Sequence, residues 1–132
     1  MSQKKVRILM AKLGDGYESA IINLGTAFVE AGFEVIYTTI QDPKAIITAA
    51  LQESVDHIGV TTLPGAQIDD FARIFELLAK ENLSHIQVTA GGFLNDEDIP
   101  RIKEMGVVEF FPKGTTYAEL IEWSKLHIKH TY

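Results

Sequence analysis

Two glycines flank a single acid near the start of this 132-residue sequence. Gly14 and Gly16 enclose Asp15, a pattern that predicts a tight turn in which backbone N–H groups and a helix N-terminus face a ligand. The segment does not satisfy the dinucleotide-binding fingerprint, because Ser19 stands where the third glycine belongs. The same glycines also fit an ordinary turn, so this segment alone leaves ligand binding and a purely structural role open.

Three later segments combine small and hydroxyl residues. Thr61-Thr62-Leu63 offers two hydroxyl groups, and Gly91-Gly92 leaves space in which a planar or elongated group could lie against the backbone. Gly114-Thr115 follows a proline in a turn whose hydroxyl residues can cap a helix. A phosphorylated-aspartate receiver is excluded, because Thr61 occupies the place of the aspartate. These segments favour ligand binding over a charged catalytic centre.

The sequence contains no recognisable set of catalytic residues. It has no cysteine, and its histidines fall at strand starts (His57, His85) or in the last helix and tail (His127, His130). No Ser-His-Asp, paired-carboxylate or H-E-x-x-H arrangement can be built from the segments above. The acids of 96–98 are expected to cap a helix. The sequence therefore predicts a binding domain that performs no chemistry alone.

Apolar segments of two kinds alternate along the chain and must position these residues. Short segments rich in β-branched and aromatic residues predict five strands, and longer ones with apolar residues three or four positions apart predict amphipathic helices. Gly32, Asp42-Pro43 and Gly106 mark helix limits. The predicted strands are 6–11, 33–38, 57–61, 86–89 and 107–111.

Strict alternation of strands and helices with short links requires parallel strands joined by crossovers. The sequence therefore predicts an α/β fold with one doubly wound, five-stranded parallel sheet of flavodoxin-like (Rossmann-like) order. In such sheets, ligands bind outside the carboxyl ends of the strands. Function is accordingly expected in four loops, at 12–19, 62–68, 91–98 and 112–116.

Composition limits the partners. Twelve basic and eighteen acidic residues give a net charge of −6 without a basic cluster, which argues against nucleic-acid binding. The longest apolar run is far shorter than the roughly 20 residues of a membrane helix, and the first residues lack signal-peptide features. The sequence thus predicts one soluble domain, residues 1–132, with no membrane partner. The absence of cysteine favours a cytoplasmic location.

Several segments of the sequence, taken together and in order, match one known family. They are Ala11-Lys12-Leu13-Gly14-Asp15-Gly16, 31–37, 49–56, Gly91-Gly92 and 96–100, and they run through almost the whole chain. Together they resemble the cobalamin-binding domain of coenzyme B12-dependent acyl-CoA mutases, of the methylmalonyl-CoA mutase type. In that family, a D-x-H-x-x-G motif supplies the histidine that coordinates cobalt. S-x-L and G-G motifs line a tunnel for the displaced nucleotide tail, and a separate barrel domain carries the substrate.

The resemblance assigns residues of this chain to the cofactor. Asp15 matches the aspartate of the first motif and Lys12 the lysine behind it. Thr61-Thr62-Leu63 matches S-x-L, and Gly91-Gly92 matches the glycine pair. The resemblance implies no catalytic or metal-ligating residue in this chain. The expected cofactor-binding residues are Lys12, Gly14, Asp15, Gly16, Tyr17, Thr61, Thr62, Leu63, Gly91, Gly92, Gly114 and Thr115.

Departures from the family pattern are confined to the first loop. Tyr17 replaces the histidine, Ala20 replaces the final glycine of the motif, and the loop is one residue shorter between Gly14 and Asp15. Neutral imidazole binds cobalt near neutral pH, whereas a phenol with a pKa of about 10 must first lose its proton, and phenolate matches reduced cobalt poorly. Three outcomes stay open: cobalamin with its lower face open to water or Tyr17, a corrinoid that keeps its own base on the metal, or loss of the cofactor.

The resemblance implies a cobalamin-binding subunit or domain of an adenosylcobalamin-dependent acyl-CoA carbon-skeleton mutase. Adenosylcobalamin would be the cofactor, and a barrel-type mutase large subunit or domain would be the partner. The alternative is a degenerate domain that no longer binds cobalamin and acts as an interaction or regulatory module. A corrinoid protein for methyl transfer is a third hypothesis, and a homodimer is left open.

Overall fold

The computed structural model describes residues 4–16, 18–38 and 40–131. Strands and helices alternate from beginning to end, as the apolar pattern predicts. The elements are β1 (Arg7–Leu13), α1 (Glu18–Glu30), β2 (Glu34–Tyr37), α2 (Pro43–Gln52), β3 (His57–Thr62), α3 (Asp69–Lys80), β4 (Gln87–Gly92), α4 (Asp98–Met105), β5 (Glu109–Pro112) and α5 (Tyr117–His127).

The five strands form one parallel sheet in the order β2-β1-β3-β4-β5. This is the flavodoxin-like order, in which the strand sequence reverses direction between β1 and β3. The predicted fold class is therefore confirmed. Because every strand runs the same way, all five carboxyl ends lie along one edge of the sheet, which we call the carboxyl edge.

Side chains of β1 alternate between the two faces of the sheet and divide the core into two layers. Leu9 and Leu13 pack with α2, α3 and α4 on one face. Ile8 and Met10 point to the other face, which carries α1 and α5. The smaller layer, between the sheet and α1 and α5, holds the site described below.

Local signals set most helix limits as predicted. The Asp42 carboxylate caps α2 by accepting a hydrogen bond from Lys44 N at 3.4 Å, and Pro43 follows as the first helical residue. The expected acidic cap of α4 is wrong: Glu97 occupies the cap position in a helical conformation without a side-chain hydrogen bond. Asp98 instead lies in the first turn and pairs with Arg101 at 3.6 Å. Its backbone N–H already donates to the Asn95 carbonyl at 2.9 Å, so this N–H needs no side-chain cap.

Strands extend further toward the carboxyl edge than the sequence predicts. β1 continues to Leu13 because Lys12 and Leu13 pair in register with Thr61 and Thr62 of β3. Gly91 and Gly92, which were expected in a loop, continue β4 and pair with β3 and β5. Several expected loop residues are therefore held by the sheet, which gives them fixed positions.

A buried carboxylate joins the two ends of the described fold at the opposite, amino edge of the sheet. Asp56 precedes β3, and its side chain is 1% exposed. It accepts hydrogen bonds from Arg7 N at 2.8 Å and from Thr131 N and Oγ1 at 2.8 and 3.2 Å. We call this arrangement the Asp56 clasp.

The helices are short. No helix in the described ranges has both the length and the apolar character needed to cross a membrane.

Candidate functional site

A cavity of about 280 Å³ lies between the sheet and the helices α1 and α5. It runs from the carboxyl edge down along β3 and β4. One wall is apolar and belongs to α1, where Ile21, Leu24 and Phe28 line the space. Ala20, which replaces the motif's final glycine, also lines it.

The predicted binding residues of the last three segments gather at the outer part of this cavity. Thr61, Gly91 and Gly92 line it from the sheet, and Gly114 and Thr115 line it from the turn between β5 and α5. That turn is closed by a hydrogen bond from Thr115 Oγ1 to the Pro112 carbonyl at 2.7 Å. Three segments far apart in the sequence thus form one rim.

The glycine pair is required by close approach of the strands at this rim. A Cβ on Gly91 would lie 2.9 Å from the Phe111 carbonyl oxygen, and a Cβ on Gly92 would lie 2.4 Å from the Thr62 carbonyl oxygen. Gly92 also has a φ of +120°, which side chains disfavour. The close approach of the strands thus requires both glycines, and both also line the cavity, where they present backbone without a side chain.

The first loop is fastened to its neighbours instead of lining the cavity. Gly14 N donates to Gln41 Oε1 at 2.8 Å, and Asp15 N donates to the Pro64 carbonyl at 3.0 Å. A Cβ on Gly14 would lie 2.4 Å from the Leu63 carbonyl oxygen, so only glycine allows this contact. The Asp15 carboxylate and Gly16 remain exposed at the carboxyl edge.

The other predicted residues support the rim from behind. Lys12 is buried within β1. Thr62 is fully buried, and its Oγ1 donates to the Gly91 carbonyl at 3.1 Å, which ties β3 to β4. Leu63 is packed in the core between the sheet and α1 and α5. Tyr17 lies outside the described residues, so its expected position below cobalt stays a prediction.

The inner part of the cavity contains a polar pair that the sequence analysis did not assign to the site. His57 Nε2 lies 2.9 Å from Thr89 Oγ1, and both residues line the cavity. Burial lowers the pKa of His57 to about 3, so the ring is neutral near pH 7. Alternation along β3 could have identified His57, because residues 57, 59 and 61 must share one face of the sheet.

A positive charge lies near the mouth of the cavity. Lys113, in the turn after β5, lines the cavity, and its Nζ sits 4.6 Å from the centre of the Phe93 ring. This is a cation–π arrangement that holds the ammonium group close to the carboxyl edge. An elongated ligand with an anionic group near the mouth would meet this charge.

The geometry fits an organic ligand with an elongated arm better than a metal held by side chains. Within the described ranges, no group of three or more histidine or acidic residues could hold a metal ion. The backbone of Gly91 and Gly92, the apolar wall of α1 and the polar inner end instead suit an elongated, mainly apolar organic group.

Comparison with known proteins gives one family match and, among the relatives, two mutase subunits. Residues 6–121 match the B12 binding domain family. The 2-hydroxyisobutanoyl-CoA mutase small subunit of Aquincola tertiaricarbonis is 36% identical over 124 residues, covering 92% of this chain and 91% of that protein. The methylmalonyl-CoA mutase large subunit of Streptomyces virginiae is 30% identical over 114 residues, covering 85% of this chain but only 16% of that protein.

Among solved structures, a cobalamin-binding protein from Desulfitobacterium hafniense DCB-2 has the same fold. Its TM-score is 0.77 at 20% sequence identity, over 96% of this chain and 60% of that one. At this identity the comparison concerns the fold alone, and it agrees with the strand order described above.

Proposed function

This chain belongs to the B12 binding domain family, and on that premise we propose that it seats adenosylcobalamin for an acyl-CoA carbon-skeleton mutase whose substrate-carrying large subunit is a separate chain. The family expected from the sequence is confirmed, and cobalamin is the cofactor that the family implies. The large subunit is suggested by the relative that is itself a small subunit of a mutase.

The cavity between the sheet and the helices α1 and α5 carries this proposal. Its rim holds the hydroxyl of Thr61, the bare backbone of Gly91 and Gly92, and the turn at Gly114 and Thr115. We assign this space to the nucleotide tail of cobalamin, detached from the metal. The corrin ring would then lie on the carboxyl edge, above the first loop.

The remaining expected residues would shape that edge. The hydrogen bonds from Gly14 and Asp15 fix the first loop against the segment after β3, and Thr62 ties β3 to β4. When bound, adenosylcobalamin supplies the radical that begins a carbon-skeleton rearrangement. The described residues of this chain would bind and orient the cofactor and keep its tail away from water. The proposed cofactor-binding set is Lys12, Gly14, Asp15, Gly16, Tyr17, Thr61, Thr62, Leu63, Gly91, Gly92, Gly114 and Thr115.

Cofactor retention tests the proposal directly. Purified protein is mixed with hydroxocobalamin or adenosylcobalamin, freed of unbound cofactor by gel filtration, and examined by its visible spectrum. We expect stoichiometric retention at micromolar concentration, with the spectrum of cobalamin whose base has left the metal. Cobinamide, which lacks the nucleotide tail, serves as the matched ligand control and should be retained much less.

Tyr17 and Ala20 favour a second candidate, a domain of this family that acts as an interaction module without cofactor. These residues replace the histidine and the last glycine of the expected cobalt-binding motif. Complete loss of corrinoid colour on gel filtration would support this candidate and contradict the first. Retention of cobinamide as strongly as cobalamin would also contradict the role assigned to the cavity.

A further inference from the structure

The inner end of the cavity is closed by the His57 and Thr89 side chains. His57, Gly59 and Thr61 lie on one face of β3, and at 3.2–3.4 Å per residue His57 is about 13 Å from Thr61 along the strand. Thr89 lies beside Gly59 in the register of β3 and β4. A group that enters at the Thr61 rim therefore approaches this pair last.

Gly59 leaves the space in front of the pair open. A Cβ on Gly59 would lie 3.8 Å from Thr89 Oγ1, and no other described atom lies within 4 Å of it apart from those of Gly59 and its two chain neighbours. The Thr89 hydroxyl is thus at the boundary of open space, at the level where the strand has no side chain. A planar ring lying over Gly59 would bring its far edge to His57 and Thr89.

The pair has hydrogen-bonding capacity beyond its own contact. A neutral imidazole and a threonine hydroxyl together carry one N–H, one O–H and several lone pairs. The contact at 2.9 Å uses one donor and one acceptor, whichever histidine tautomer is present. One donor and at least one acceptor of the pair are therefore not used by this contact. Because its lowered pKa keeps His57 neutral near pH 7, the number of donors and acceptors in the pair does not change near neutral pH.

We propose that this polar inner end selects a corrinoid whose nucleotide base carries a hydrogen-bonding group, such as the amino group of adenine or the hydroxyl of 5-hydroxybenzimidazole, over one with dimethylbenzimidazole. This inference rests on the proposed function, because the base is the terminal group of the tail assigned to the cavity. The two methyl groups of dimethylbenzimidazole cannot pair with His57 or Thr89. A site built around hydrogen-bonding groups disfavours a ligand that leaves them unpaired.

Three corrinoids that differ only in the base test this selectivity. Dissociation constants for the wild-type protein are measured by equilibrium dialysis with the adenine, 5-hydroxybenzimidazole and dimethylbenzimidazole forms. We expect the two polar bases to bind about fivefold more tightly than dimethylbenzimidazole, the ratio that one net hydrogen bond provides. Equal binding, or preference for dimethylbenzimidazole, overturns the inference and leaves the proposed function standing. Retention of none of the three overturns both.

Two variants connect the preference to the pair itself. Thr89→Val keeps the shape of the side chain but removes its hydroxyl, and His57→Leu removes the ring nitrogens. Each is expected to bring the ratio of dissociation constants near one while binding of the dimethylbenzimidazole form stays within about twofold. Thr89→Ser should keep the preference. A preference that persists in a folded variant, as judged by circular dichroism, places its origin elsewhere and contradicts the inference.

Discussion

Gly59 stands beside Thr89 in the register of β3 and β4, with the open cavity in front of it. A side chain could therefore be introduced at Gly59 without a clash, since the nearest described atom to its Cβ outside Gly59 and its two chain neighbours would be Thr89 Oγ1 at 3.8 Å. Any larger side chain at this position must occupy the space assigned to the cofactor tail.

Gly59→Leu is predicted to weaken cobalamin binding at least about tenfold while the protein stays folded, because the new side chain fills the cavity with apolar atoms. Binding is measured by equilibrium dialysis and folding by urea denaturation. Gln87→Leu is the matched control, because Gln87 is an exposed residue of β4 outside the cavity. Unchanged cobalamin affinity in a folded Gly59→Leu protein would place the tail elsewhere.

Lys113→Met is predicted to weaken cobalamin binding about two- to fivefold, because the ammonium group near the cavity mouth attracts the phosphodiester of the tail. The loss should shrink as salt is added, since salt screens exposed charges. Lys125→Met changes an exposed lysine of α5 away from the cavity and should have no effect. Cobinamide has no phosphodiester, so an equal loss of cobinamide binding in Lys113→Met would refute this account.

Tyr17→His is predicted to raise cobalamin affinity and to give the visible spectrum of nitrogen coordination at cobalt. The reason is chemical: neutral imidazole is a good cobalt ligand near pH 7, and a protonated phenol is not. Tyr17→Phe is the control, because it removes the hydroxyl without adding a ligand. An unchanged spectrum at full cofactor occupancy would show that the shortened loop, and not the side chain, prevents coordination.

Asp56→Asn is predicted to lower the free energy of unfolding at pH 7 by about 1–2 kcal/mol, because the carboxylate of the clasp accepts three hydrogen bonds and the amide cannot replace them all. The loss is measured by urea denaturation. Asp96→Asn, at an exposed position, should leave stability unchanged.

The same clasp predicts how stability depends on pH. Burial alone would raise the pKa of Asp56, but hydrogen bonds from Arg7 and Thr131 and the nearby charge of His130 outweigh it and leave the pKa below its usual value of 3.8. The folded state then binds this proton less readily than the unfolded state. The contribution of Asp56 is therefore complete above about pH 5 and is lost as the pH falls through 3.8 and below. A stability difference between the wild-type protein and Asp56→Asn that is as large at about pH 3 as at pH 7 would contradict this assignment.

Patterns within single segments predicted the fold well. Alternating strands and helices indicated the sheet, and Asp42 and Pro43 indicated the start of α2, because such signals act through nearby backbone groups. The cap of α4 could not be predicted in this way. Acidic residues are favoured at the start of a helix, and residues 96–98 are acidic. The turn from Asn95 to Asp98 nevertheless closes through backbone atoms, and the Glu97 side chain makes no capping hydrogen bond.

The candidate site could be predicted only in part from the sequence, for a different reason. The sequence indicated Thr61, Gly91 and Gly92 because they lie near the carboxyl ends of predicted strands and match the family motifs. It did not indicate His57 and Thr89, because neither lies at a carboxyl end, where ligands of such sheets bind. Their role depends on the depth of a space between two layers of structure. Alternation along β3 places His57 and Gly59 on the same face as Thr61, but the depth of the cavity also depends on how α1 and α5 pack over that face, which no single segment encodes.

The Asp56 clasp also has a consequence for assembly. Arg7 and Thr131 meet at one carboxylate, so the polypeptide enters and leaves the described fold on the side of the sheet farthest from the cavity mouth. A tether to another domain, attached at either end, would depart from that far side. The carboxyl edge and the cavity mouth would stay clear, so the same architecture can serve as a detached subunit or as a module in a longer polypeptide.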